Sequence, residues 1–150
     1  MVIFGIPDSA VQAAVANPQI IIASDGMRIS GPKVHPRGQG TFSRVLGHYV
    51  REEKALDLMT ALRKMTLLPA QRLERHAPMF KNKGRIRVGA DADITMFDPN
   101  RIIDKATYEE PLQYSDGIEF VLVNGVPVVM NGKLAQGVFS GQAARAPIAR

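Results

Sequence analysis

The sequence predicts an α/β fold in which helices pack beside strands. Residues 20–22 are three consecutive isoleucines that follow a predicted helix after a short loop, as in the αβ half of a βαβ unit. Apolar residues then recur at helical spacing in residues 52–65. Near the C-terminus, Asn124-Gly125 separates two β-rich segments.

Composition places the chain among ordinary globular proteins. It has 150 residues, of which 45% are hydrophobic and 22% charged, enough for a sizeable core. Cysteine is absent, which excludes disulfides, thiolate metal sites and a cysteine nucleophile. The first residues have no basic n-region and only a short apolar stretch, so we expect no signal peptide, and no apolar run approaches membrane-spanning length. We therefore expect a cytoplasmic protein without a membrane partner.

The net charge of +5 is unevenly distributed. Residues 28–87 contain 14 Lys and Arg but only 4 Asp and Glu. Such a basic block is compatible with nucleic acid, an acidic partner or an anionic substrate. It has no arginine-rich run, no zinc-finger spacing and no aromatic ribonucleoprotein motif. We expect a solvated or interdomain surface and no nucleic-acid partner.

The N-terminal elements lead to one carboxylate. Asp8 or Ser9 is predicted to cap a helix over residues 10–16, which Asn17-Pro18 ends. Residues 1–5 offer the only strand before this helix, and a buried strand follows at residues 20–23. Asp25 then lies beyond the strand end, where α/β folds carry functional groups. An Asp-Gly turn is the alternative, which this segment alone favours.

The remaining elements follow from local signals. Residues 27–40 are predicted to form a functional loop. Helices are predicted at residues 41–49 and 52–65, and Thr66 is predicted to cap a further turn. Strands are predicted at residues 94–97, 118–123 and 126–130, with a hairpin turn at Asn124-Gly125. Pro127 lacks a backbone donor, so its strand lies at an edge or starts late. Residues 136–150 are expected to fray.

Generic catalytic motifs are missing from the sequence. There is no phosphate loop, no Gly-x-Ser-x-Gly elbow and no HExxH helix. Asp91 and Asp93 resemble the start of a calcium loop only superficially, and we interpret them as turn and strand-edge residues. His35, His48 and His76 lie 13 and 28 residues apart, so we expect surface or packing roles rather than metal chelation.

Two segments carry a family resemblance. Residues 84–99, followed by residues 121–125, resemble the C-terminal signature of the amidohydrolase superfamily of metal-dependent hydrolases. Four further segments are similar to the D-aminoacylase branch, the N-acyl-D-amino-acid deacylases. They are Ser24-Asp25-Gly26, His35-Pro36-Arg37, residues 40–47 and Arg63-Lys64-Met65-Thr66. The resemblance runs from about residue 2 to residue 135.

The resemblance implies a fold and an organisation. Residues 1–83 would be the C-terminal part of a (β/α)₈ barrel, with residues 20–23 as its eighth strand. Residues 84–135 would belong to a small β-sandwich domain, and residues 136–150 would be a tail.

The resemblance also implies an activity. Asp25 would be the acid/base of amide hydrolysis and a possible metal ligand, and Arg37 would clamp the α-carboxylate of an N-acyl-D-amino acid. The complete enzyme would bind zinc. The family's His-x-His and later histidines do not occur here, so we expect no zinc in this chain alone and no activity without the missing barrel segment.

Two alternatives remain open. Dihydroorotase-like and dihydropyrimidinase-like enzymes share the signature at residues 84–99. The other alternative is a stand-alone or accessory protein that folds with a partner fragment or by self-association, because its last strand and helices would expose apolar surface.

Overall fold

A computed structural model describes residues 5–27 and 34–146. Helices occupy the first half of the chain and an antiparallel sheet the second, so the mixed α and β composition expected from the sequence is confirmed. The parts of the predicted elements that fall on residues 1–4, 28–33 and 147–150 lie outside the described residues. No helix within the described ranges is long and apolar enough to cross a membrane.

The first helix, α1, spans Asp8–Ala16. Pro7 is its N-cap residue and Asn17 its C-cap, so the predicted end is confirmed. The predicted capping role of Asp8 or Ser9 is wrong, because the helix makes no side-chain cap hydrogen bond. Asp8 lies inside the first turn instead, where its negative charge interacts favourably with the helix dipole.

Residues 20–23 form no strand, contrary to the prediction. A strand needs a neighbour to complete its hydrogen-bond ladder, and no described segment pairs with these residues. The backbone N–H of Ile22 donates instead to the carbonyl of Lys64, 3.2 Å away. The segment is thus held by helices rather than by a sheet.

The central helices differ from the predicted pair at residues 41–49 and 52–65. Helix α2 spans Arg37–Arg44 and continues into a π-helix at Val45–Glu52. Lys54 then adopts a left-handed φ of 52°, which ends the helical stretch. Helix α3, at Leu58–Met65, begins late because the Asp57 carboxylate caps it by accepting from the backbone N–H of Thr60 at 2.9 Å.

Two further helical segments complete this half. Helix α4 spans Leu67–Leu73, and Thr66 occupies its N-cap position as predicted. The Thr66 hydroxyl does not cap the helix, because it donates to the carbonyl of Leu62 at 2.7 Å. A 3₁₀ helix follows at Pro78–Asn82.

The sheet is a four-stranded antiparallel meander in the order β1-β2-β3-β4. Strands β1 (Ile94–Phe97), β2 (Ile118–Val123) and β3 (Val126–Met130) agree with the prediction. Asn124 and Gly125 have φ of 52° and 78°, which confirms the hairpin turn. The short strand β4 (Lys133–Leu134) pairs only with Val129 and Met130 of β3. Pro127, which has no backbone N–H to donate, therefore has no partner in β4.

A buried cluster joins the helices to the sheet. Val45, Leu46, Ala61 and Ile102 form its centre, and Phe97 and Ile118 of the sheet pack against it. Gly47 lies where the π-helix comes very close to the backbone of Ile102, since a Cβ on Gly47 would clash with the carbonyl oxygen of Ile102.

Ion pairs fix the sheet to the 3₁₀ helix. The Lys83 ammonium lies 2.9 Å from Asp91 and 2.5 Å from Asp93. The other oxygen of Asp93 accepts from the backbone N–H of Asn124 at 2.7 Å, at the start of the hairpin turn. Asp91 and Asp93 therefore lie just before β1, where both carboxylates pair with Lys83.

Gly84 lies where the helices meet the sheet, and its replacement tests this packing. Its φ is +66°, and a Cβ would lie 2.5 Å from the Thr66 carbonyl oxygen. Gly89 has a φ of +82° but an open surrounding, so Gly89→Ala measures the backbone strain alone. We expect Gly89→Ala to lower the free energy of unfolding by about 1–2 kcal/mol, and Gly84→Ala by about 1–3 kcal/mol more.

Urea-induced unfolding of the two variants and the wild type measures both effects. Equal losses for Gly84→Ala and Gly89→Ala would contradict the close packing of Gly84 on the junction between α3 and α4.

Candidate active site

Asp25 lies in a turn that follows the extended residues 20–23. Its φ is 49°, in the left-handed region that Asp tolerates better than most residues. The backbone N–H of Gly26 donates to the Ser24 hydroxyl oxygen at 3.1 Å and closes the turn. The Asp25 side chain is 81% exposed. The turn interpretation and the functional interpretation are thus compatible, because the turn directs the carboxylate outward.

Arg37, the first residue of α2, contacts Asp25 twice. Its Nη2 lies 3.0 Å from the carboxylate oxygen Oδ2, and its Nε donates to the Asp25 backbone carbonyl at 2.8 Å. Both donors belong to the same edge of the guanidinium. Among the described residues, no acceptor occupies the other edge, formed by Nη1 and Nη2. The structure therefore brings the two predicted site residues together.

Neighbouring polar groups fix the position of Arg37. Its backbone N–H donates to Nδ1 of His35 at 3.1 Å. Its carbonyl accepts from the Thr41 hydroxyl at 2.9 Å, and that hydroxyl also lies 3.4 Å from the carbonyl of Ser24. Thr41 thus connects the start of α2 to the turn that holds Asp25.

His35, for which the sequence predicted a surface or packing role, also contacts the backbone of Arg37. Because Nδ1 accepts the Arg37 N–H, a neutral ring carries its proton on Nε2. Burial lowers the pKa of His35, the Arg37 charge lowers it further, and the Asp25 charge partly opposes both. The ring meets Tyr108 edge to face at a centroid distance of 5.2 Å. Its position two residues before Arg37 was the available signal.

The turn after Asp25 packs closely on α2. A Cβ on Gly26 would lie 3.1 Å from the Cα of Gly38. This contact favours a glycine after the aspartate, whereas a Cβ on Gly38 would point into open space.

The described residues do not make a complete metal site. Within the described ranges, no three His, Cys, Asp or Glu side chains come close enough to hold an ion. His48 lies on the π-helix, where its Nδ1 is 3.2 Å from the Glu52 carboxylate. Zinc needs at least three protein ligands, and Asp25 supplies one carboxylate.

The basic block at residues 28–87 is partly neutralised by acidic residues from other segments. Arg37 pairs with Asp25, and Arg44 lies 3.5 Å from Asp104. Lys83 contacts Asp91 and Asp93, so these cations are structural as well as basic.

Comparison with known proteins identifies the relatives. The amidohydrolase family matches residues 5–129. The N-acyl-D-glutamate deacylase of Alcaligenes xylosoxydans xylosoxydans is 40% identical over 125 residues, which are 83% of this chain and 24% of that protein. The D-aminoacylase of the same organism is 38% identical over 147 residues, 98% of this chain and 28% of that protein.

A solved structure agrees with the sequence comparisons. It is the N-acyl-D-glutamate deacylase from Bordetella bronchiseptica, complexed with zinc and a phosphonate inhibitor that mimics the tetrahedral intermediate. Its TM-score is 0.82 at 37% identity, over 94% of this chain and 28% of that one. The chain thus spans about a quarter of the length of the relatives it matches.

The matched residues extend from the N-cap region of α1 to strand β3 and include Asp25, Arg37 and the buried cluster. The chain belongs to the amidohydrolase family.

Proposed function

We propose that this chain is the C-terminal part of a metal-dependent hydrolase of amide C–N bonds, an N-acyl-D-amino-acid deacylase. One observation carries the proposal: Asp25 presents an exposed carboxylate from a turn that Arg37 fixes, in a chain similar to D-aminoacylases. The substrate class comes from these relatives, and the acid/base role from the chemistry of the carboxylate.

The unpaired residues 20–23 support the proposal that this segment is a barrel strand whose neighbouring strands come from other segments of a longer protein. Ile20 and Ile21 are 41% and 37% exposed, although a run of isoleucines is typical of a buried strand. We propose that residues 20–23 are the eighth strand of a (β/α)₈ barrel within residues 1–83, and that residues 84–135 contribute to a small β-sandwich domain. The 150 residues alone would then be inactive.

Amide hydrolysis assigns two proton transfers to Asp25. The carboxylate takes a proton from the water that attacks the acyl carbon. It then gives that proton to the nitrogen as the C–N bond breaks, which releases a carboxylic acid and a free amino acid. An exposed carboxylate at the end of a fixed turn is suited to both transfers.

Zinc belongs to the proposed complete enzyme rather than to this chain alone. A solved relative contains zinc, whereas the described residues include no group of three metal-binding side chains. Asp25 would contribute at most one ligand, and the others would come from segments outside this chain.

Arg37 combines two proposed roles. Its Nε–Nη2 edge holds Asp25, and its Nη1–Nη2 edge, which meets no acceptor among the described residues, would bind the α-carboxylate of the substrate. A guanidinium has five donors in a planar arrangement, so both interactions fit on one side chain.

The first test replaces the proposed acid/base. We expect Asp25→Asn in the full-length hydrolase to lower kcat about 10²- to 10⁴-fold on an N-acyl-D-amino acid, because the amide cannot accept the proton. Asp8→Asn changes an exposed aspartate of α1 and serves as the control. Steady-state kinetics measures both, and wild-type turnover in Asp25→Asn would refute the role of Asp25.

The second test separates the two roles of Arg37. We expect Arg37→Lys to lower kcat/KM for an N-acyl-D-amino acid about 10- to 100-fold, because lysine cannot bind the carboxylate bidentately. The loss should be smaller for the corresponding carboxamide, which lacks the carboxylate. Equal losses on both compounds would eliminate the clamp, and Arg72→Lys on α4 is the control.

The third test concerns pH and His35. The folded state lowers the pKa of His35, so the unfolded state binds the proton more readily and the free energy of unfolding falls as pH decreases through about 6.5. We expect His35→Gln to reduce this pH dependence and His76→Gln to leave it unchanged. Thermal unfolding between about pH 7 and pH 5 measures it, and an unaltered slope in His35→Gln would contradict the assignment.

A further inference from the structure

Lys64 on α3 is a buried charge that the proposed function does not use. Lys64 is 1% exposed, and lysine is almost never buried to this extent without a partner. No carboxylate among the described residues lies within ion-pair distance of it. Burial accordingly lowers the pKa of its ammonium group.

Backbone carbonyls at the end of α1 take the place of an acid. The Lys64 ammonium donates to the carbonyl of Asn17 at 2.6 Å and to that of Ala14 at 3.4 Å. It also donates to the carbonyl of Val15. These groups lie at the negative end of the helix dipole, which stabilises a cation.

Two of these carbonyls belong to the last turn of α1, and the residues that follow the helix do not donate to them. The donor for Ala14 would be residue 18, which is Pro18 and has no N–H. The donor for Val15 would be Gln19, whose N–H donates to the Asn17 side chain at 2.9 Å instead. Lys64 therefore supplies hydrogen bonds that the sequence at the helix end removes.

The backbone of Lys64 contacts the same segment a second time. Its carbonyl accepts from the N–H of Ile22, three residues before Asp25. One residue of α3 thus holds the chain at Asn17 and again at Ile22, on both sides of the turn into residues 20–23. The direction in which the segment continues toward Asp25 is fixed between these two points.

We propose that Lys64 is a positioning residue for Asp25: its buried ammonium at the end of α1, together with its carbonyl on Ile22, sets the course of the segment that carries the carboxylate. The expected effect on kcat rests on the proposed function, whereas the expected effect on amide hydrogen exchange does not. It does not require Lys64 to touch the substrate.

The experiment compares Lys64→Met, Lys64→Arg and Arg63→Met in the full-length protein. Methionine keeps the length of the side chain without donors, and arginine keeps the charge and donors. Arg63→Met removes an exposed cation from the same helix as a matched control. Three quantities are measured: kcat and KM on an N-acyl-D-amino acid, amide hydrogen exchange of residues 17–27, and the melting temperature.

We expect Lys64→Met to lower kcat about 10- to 100-fold with KM nearly unchanged, because small displacements of a reacting group have effects of this size. Exchange should rise in residues 17–27 before it rises elsewhere in the helices. Lys64→Arg should recover most of kcat, and Arg63→Met should match the wild type.

Two results would overturn the positioning role. One is wild-type kcat and wild-type exchange in Lys64→Met. The other is a loss of activity that only follows a lower melting temperature, with exchange raised equally throughout the helices. If the wild type shows no deacylase turnover, the proposed function fails, and the exchange of residues 17–27 still decides the role of Lys64.

Discussion

Residues 20–25 lie among the helices, and no strand within the described ranges pairs with them. The candidate site therefore depends on how the helices hold this segment. An extended chain without a ladder leaves its backbone polar groups to find other partners. Here Ile22 donates to α3 and its side chain packs against the buried cluster. Asp25 is then held by Arg37 of α2. The position of the carboxylate therefore follows from helix packing.

That packing in turn depends on close contacts made by the helix that begins at Arg37. Glycines at positions 40 and 47 leave room for the chain at residues 102–104, since a Cβ at either would clash there. Arg51, in the π-helix, donates to the carbonyl of Ile102 at 2.5 Å. The wider turns of a π-helix allow this contact while Val45 and Leu46 remain in the core. The orientation of α2 and the placement of Arg37 are thus coupled to the segment that leads into the sheet.

Local signals predicted the sheet better than the helices. The Asn124-Gly125 turn and its flanking β-branched residues determine their own pairing, so the three longer strands were found with their correct bounds. The strand at residues 20–23 was not observed, because strand formation depends on a neighbour and apolar composition alone does not supply one. The two-residue strand β4 is too short for its pattern to stand out from the loop after Asn131-Gly132.

The site was predicted in part for the same reason. Asp25 and Arg37 were predicted as site residues from a family resemblance, and their roles stay predictions, whereas their mutual contact is observed but is non-local and has no signal in spacing. His35 was predicted to have a surface or packing role and does pack on Tyr108, but its contact with Arg37 depends on the direction of one backbone N–H and was not predicted. Lys64 was named only within the family resemblance, and its burial was not predicted because a lysine on a helix is ordinarily exposed. Its burial follows from the carbonyls that Pro18 and Asn17 leave without donors.

Arg37 shows how one side chain reconciles a structural and a functional requirement. The carboxylate of Asp25 needs a fixed direction, which two donors on one edge of the guanidinium provide. In the proposed function a substrate carboxylate needs two parallel donors, and the adjacent edge would supply them without releasing the first contact. An ammonium group has its three donors on a single atom and cannot present two such edges. The two proposed contacts together would therefore require the geometry of arginine, since lysine would bring the same charge without the second edge.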